Sequence, residues 1–168
     1  MKSLAKAALA GTAMTAALVM GAGTASAATI GGPAGTGTPS AAYQVCGTAY
    51  VGGDAHVSAP PAGALGVGGV KITGTLVPGG GSWSTTTAAD GTWCLTGDAN
   101  MATTVKNGGR VDLTFDTPTV SNGMTTYTGH WSGAGTDASL DAFDFFDHAW
   151  PSPSFTADRA WKVNVYYQ

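Results

Sequence analysis

Three carboxylates recur at a helical spacing late in the chain. The stretch Ser139-Leu140-Asp141-Ala142-Phe143-Asp144-Phe145-Phe146-Asp147-His148-Ala149-Trp150 puts Asp141, Asp144 and Asp147 at i, i+3 and i+6. On a helix with Ser139 as N-cap they would line one side, with Phe143 and Phe146 beside them. Such a set suggests two chemistries. Paired carboxylates serve small hydrolases, provided two are held on opposed sides of a substrate. Carboxylate oxygens also bind Ca²⁺, which takes about six to eight of them. The spacing departs from the EF-hand loop, so no metal site is assigned and the three Asp stand only as a candidate Ca²⁺ set. The plain alternative is a short helix or ordered loop over 139–148 that closes one end of a domain, its aromatics inward and its acids in water.

Other catalytic signatures are missing. The chain has no Glu, so H-E-x-x-H is impossible. G-x-S-x-G and a glycine loop ending in G-K-[ST] are absent too. His56, His130 and His148 are scattered, without an i, i+4 pair or a Cys/His metal spacing. No catalytic residue is assigned, no cofactor is implied, and the chain is read as a non-enzyme. Five tryptophans remain. Trp93 and Trp161 alternate with polar neighbours and belong in a core. Trp83, Trp131 and Trp150 lie at strand ends or in loops. These three are the candidate ligand-binding residues, because exposed aromatics stack on sugar rings.

The elements that must position these residues read as β. From Tyr43 the pattern has period 2, with Tyr43, Val45, Ala49 and Val51 on one face and Gln44, Cys46 and Thr48 on the other. Further strands are expected at 70–73, 83–88, 92–96, 111–116, 126–131 and 160–167, separated by Gly, Pro and Asp turns. Ala89-Asp90-Gly91 fits the loop of a hairpin joining 83–88 to 92–96. About seven strands predict a single antiparallel β-sandwich over 42–168. Residues 28–41 are Gly/Pro/Thr/Ser-rich and aperiodic, which predicts a flexible linker. Residues 1–27 read as a secretory signal peptide. Lys2 and Lys6 precede an apolar run, and Ala25-Ser26-Ala27 fits the cleavage site. The expected location is therefore outside the cell. Without Lys2 and Lys6, the 7 basic residues fall to 5 against 10 acidic ones, a net charge of −5. That balance argues against nucleic acid or an anionic membrane as partner.

Cys46 and Cys94 are the two cysteines. In an exported chain two cysteines pair. Trp93 and Leu95 point inward, so Cys94 points outward, as does Cys46 on its own strand. Two outward cysteines cannot bridge two sheets through the core. The expected bridge joins neighbouring strands of one sheet, or a sheet edge to a loop; a directly opposed antiparallel pair fits disulfide geometry.

The order of pieces resembles a known family. Val45-Cys46-Gly47-Thr48-Ala49-Tyr50 is similar to its first strand and Gly69-Val70-Lys71-Ile72 to its second. Thr85-Thr86-Thr87-Ala88-Ala89-Asp90-Gly91-Thr92-Trp93-Cys94-Leu95 is similar to its D-G hairpin. Residues 43–97 thus resemble the carboxypeptidase regulatory-like and collagen-adhesin B-type (transthyretin-like) β-sandwich modules. The resemblance implies a transthyretin-like or Ig-like fold used as a stalk, adhesion part or accessory domain. Some such modules carry a Lys–Asn cross-link; here Lys71 and Asn164 would have to supply it. The expected function is a secreted, non-catalytic module with a binding or structural role at or outside the cell wall, its partner a polysaccharide or a protein. The alternatives are a secreted inhibitor of a protease or other hydrolase, acting through the loops at 52–66 or 117–125, and a small Asp-dependent hydrolase.

Overall fold

The computed structural model describes residues 27–52, 59–131, 139–143, 154–156 and 159–168. The leader expected at 1–27 lies outside them, apart from Ala27. Thirteen strands and one short helix form among these residues. In chain order they begin with β1 (Thr29–Pro33), β2 (Gln44–Val51) and β3 (Leu65–Gly68). Next come β4 (Lys71–Val77), β5 (Ser82–Thr86), β6 (Thr92–Thr96) and the helix α1 (Ala99–Lys106). They are followed by β7 (Arg110–Phe115), β8 (Thr119–Ser121), β9 (Thr126–Trp131) and β10 (Ser139–Phe143). The last are β11 (Ser154–Thr156), β12 (Arg159–Trp161) and β13 (Val165–Tyr167).

The strands divide into a nine-stranded and a four-stranded sheet. β2 is the axis of the larger. One side pairs antiparallel with β6 and then β3. The other side runs parallel to β12 and then β13, so the pairing is not wholly antiparallel. β13 leads on to β9 and β8. The smaller sheet is antiparallel throughout, in the order β10-β7-β4-β5. Alternation sets the inner faces of both sheets. Val45, Ala49, Leu95 and Val165 from the larger meet Ile72, Leu76, Val111 and Leu113 from the smaller, all fully or almost fully buried. Met101 and Val105 of α1 close one end of that core. Four aromatics interlock edge-to-face within it. Trp93–Trp131, Trp131–Phe115 and Phe115–Tyr167 have ring centroids 6.2, 5.4 and 6.4 Å apart.

Three expectations change. First, 83–96 is not a hairpin, because β5 pairs with β4 and β6 with β2. Thr87 marks the crossing. Its N–H donates to Val70 O at 2.9 Å, its carbonyl accepts from Gly69 N at 3.0 Å and its hydroxyl donates to Val67 O at 2.7 Å. Those bonds hold the end of β5 beside the β3–β4 turn. The tight turn over 88–91 then delivers the chain to the other sheet.

Second, 28–41 is not a flexible linker. β1 pairs with β3, and the segment after it is a strap across the outer face of β2. Ala34 N donates to Ala64 O and Gly35 N to Asp90 O, both at 2.9 Å. Gly37 N donates to the Thr48 hydroxyl at 3.1 Å, and that hydroxyl donates to Gly35 O at 3.1 Å. The glycines serve contact here. A Cβ on Gly37 would lie 2.0 Å from Gly47 O.

Third, a helix lies at 99–106, where none was expected, and of 139–148 only 139–143 are described, as strand. Asp98 caps it, accepting from Met101 N at 2.9 Å. Gly108, at φ +87°, ends it. Residues 139–143 instead form β10 on the edge of β7, with Leu140 opposite Leu113. An open strand edge supplies a backbone partner for every second residue, and this outweighs an i, i+3 pattern of side chains.

Candidate functional site

The outer face of the smaller sheet carries a grid of hydroxyls. Outward positions on β5 are Ser82, Ser84 and Thr86, and on β4 Lys71, Thr73 and Thr75. Asp112 and Thr114 continue the grid on β7. The register aligns them in rungs: Ser82–Thr75–Asp112, Ser84–Thr73–Thr114, and Thr86 opposite Lys71. Neighbouring strands stand about 4.8 Å apart, and same-face residues about 6.7 Å apart along a strand. Hydroxyls both donate and accept, so the grid offers paired hydrogen bonds to any surface carrying hydroxyls of its own. Charge is confined to its margins. Arg110 Nε bonds Asp112 Oδ1 at 2.9 Å, and Asp116 Oδ1 accepts from Lys71 N at 3.0 Å.

A groove of about 440 Å³ opens where β5 and β6 part company. Its walls are Thr36, Gly37 and Thr38 of the strap, Thr85 and Thr86 of β5, and Asp90, Thr92, Trp93 and Cys94. Thr86 belongs to both the groove and the grid. Asp90 sets the electrostatics of the groove. Its Oδ1 accepts from the Thr92 hydroxyl at 2.7 Å and from Thr92 N at 3.0 Å. These bonds favour the charged form and hold the carboxyl below its ordinary pKa, the hydroxyl bond most of all.

Cys46 and Cys94 are bonded, and they face each other directly across β2 and β6 with Cα atoms 4.1 Å apart. The bridge joins neighbouring strands of one sheet, as their outward faces required. Cys46 is nevertheless fully buried, while the strap runs past its partner, with Cys94 Sγ 3.6 Å from Thr38 O. Trp83 is half-buried and packs against the core. Trp131 corrects the sugar-stacking expectation: it is fully buried between Trp93 and Phe115. β13 beside it and the smaller sheet above leave no face open. Trp150, Asp144 and Asp147 lie outside the described residues, and Asp141 lies on β10. Lys71 is exposed on the smaller sheet, whereas Asn164 is buried and accepts from Thr48 N at 2.9 Å. Among the described residues no three His, Cys, Asp or Glu group as metal ligands. The sequence reading missed the grid, although the alternation Thr73/Thr75 and Ser82/Ser84/Thr86 was there to be read. No family model, curated protein or solved structure matched this chain.

Proposed function

We propose that this chain is a secreted, non-catalytic β-sandwich module of transthyretin-like or Ig-like type that binds extracellular polysaccharide. The observation that carries this reading is the hydroxyl grid on β4, β5 and β7, whose pairing chemistry matches a polymer of polyols. Two sheets sharing one core support the sandwich. A formed disulfide supports an oxidising compartment, hence export.

The test is depletion of the exported chain from solution by chitin, cellulose, xylan and purified bacterial cell wall. At least one polymer should deplete it. The double variant Thr73→Val, Thr114→Val keeps the branched side chains and removes two central hydroxyls. At about 1 kcal/mol per hydrogen bond it should weaken binding by roughly tenfold or more. Binding that the double variant leaves intact would remove the grid from the reading.

A second reading, a secreted hydrolase inhibitor, is favoured by one observation. Met124 is 94% exposed at the tip of the β8–β9 hairpin. Asn122 braces that tip, its Oδ1 accepting from Met124 N at 3.0 Å and Thr125 N at 2.9 Å. Inhibition of secreted proteases, lost in Met124→Asp and without depletion by any polymer, would put this reading first.

A further inference from the structure

We propose that the groove between β5, β6 and the strap is a subsite for one neutral sugar unit, the chain end or a side branch of the bound polymer. The proposal rests on the polysaccharide reading and deepens it. Continuity is the first argument. Thr86 faces outward beside Lys71 on the grid and also lines the groove. A polymer lying along β5 therefore reaches the groove without a gap.

The lining sets the ligand class. Hydroxyls from the strap, β5 and β6 dominate it, and among the described residues Asp90 is its only charged group. Among the described residues no Lys or Arg lines it, so phosphate, sulfate and uronic acids meet a like charge with no counter-charge in the lining. Both bonds from Thr92 fall on Asp90 Oδ1. Oδ2 lies beside Gly35, where a Cβ would come within 2.4 Å of it. Neither Thr92 donor reaches Oδ2, which leaves it a charge-assisted acceptor for a ligand hydroxyl. The size suits one ring: small-molecule pockets run from about 300 to 1,000 Å³, and this groove has about 440 Å³.

The walls are fixed before a ligand arrives. The strap is bonded at Ala64, Asp90 and Thr48. Cys94, in the wall, is tied to Cys46. Side chains already ordered cost little further entropy on binding. Trp93 lines the groove while only 3% exposed, so it closes the floor and offers no stacking face.

The experiment titrates the exported chain with methyl glycosides of glucose, N-acetylglucosamine and xylose, and with galacturonate. Calorimetry and tryptophan emission are the readouts. At least one neutral glycoside should bind saturably, and galacturonate should not. Asp90→Asn keeps the acceptor for Thr92 and should weaken the glycoside tenfold or more. Thr38→Val, on the strap and apart from the Asp90–Thr92 contacts, should weaken it several-fold with an unchanged thermal midpoint. Polymer depletion without any glycoside binding would overturn the subsite and spare the grid. Glycoside affinity unchanged in both variants, or galacturonate binding as tightly as the neutral sugars, would overturn it too. Failure of every polymer and every glycoside would sink both readings.

Discussion

Tyr167 shows how much a single side chain can depend on its surroundings. It is fully buried, and its hydroxyl donates to Thr117 O at 2.9 Å. Burial first, and then the charge of Asp116, push its pKa far above the ordinary tyrosine value. The unfolded chain ionises near pH 10 and the folded one does not. Proton loss therefore favours the unfolded state, and the contribution of Tyr167, complete below about pH 10, is lost as pH rises beyond it. Urea midpoints measured from pH 8 to 11 should fall steeply in the parent chain. In Tyr167→Phe they should start lower and fall less; equal slopes would show that another group sets the alkaline limit. At this scale faces were legible and exposure was not. Period 2 fixed the inward set of β2 and the outward cysteines. The same alternation put Trp131 at the end of a strand, where sequence does not reveal that β13 lies alongside. A substitution at Trp131 therefore reports on folding before it reports on any ligand.

Between β12 and β13 the ladder beside β2 gains a residue. Ala160 lies opposite Val45 and Val165 opposite Ala49, so four intervening residues face three. Lys162 takes φ +66° within this bulge, and Asn164 turns its side chain inward to accept from Thr48 N. Val163 N donates to Cys46 O at 3.1 Å, which brings the two backbones together. A Cβ on Gly47 would lie 1.5 Å from Val163 O. Gly47→Ala should therefore cost about 3 kcal/mol or more, since the obstacle is backbone and cannot rotate away. A denaturant midpoint within error of the parent would mean that the bulge yields. The sequence showed 160–167 as one alternating strand. Nothing in its residue types marks a break, because the break arises from pairing with β2. Helix α1 differs: Asp98 and Asn107-Gly108 are ordinary start and stop signals. A short, Thr-rich stretch between them hid the helix, since Thr is a weak helix former.

Across the whole molecule, the Cys46–Cys94 bridge closes a loop of 48 residues and ties β2 to β6 beside the crossing between the sheets. The chain-entropy relation gives about 4 kcal/mol for a loop of that length. The double variant Cys46→Ala, Cys94→Ala should lose roughly that much in guanidinium unfolding. It should also bind glycosides less well, because Cys94 is part of the groove wall. A loss under about 1 kcal/mol would imply that the unfolded chain is already constrained there. The β class, the disulfide and most strands could be read from the sequence because each depends on local alternation. The groove could not. Thr36 and Thr38 meet Thr85, Thr86 and Asp90 only because a glycine-rich segment docks, and composition alone made that segment look free.

The two cysteines differ in exposure, and this gives the crosslink a direction. Cys46 has no exposed surface, whereas Cys94 is partly exposed in the groove wall. An incoming thiolate therefore meets Cys94 and expels Cys46 as the leaving thiolate. Closure runs the same path in reverse, with Cys46 attacking a mixed disulfide carried on Cys94.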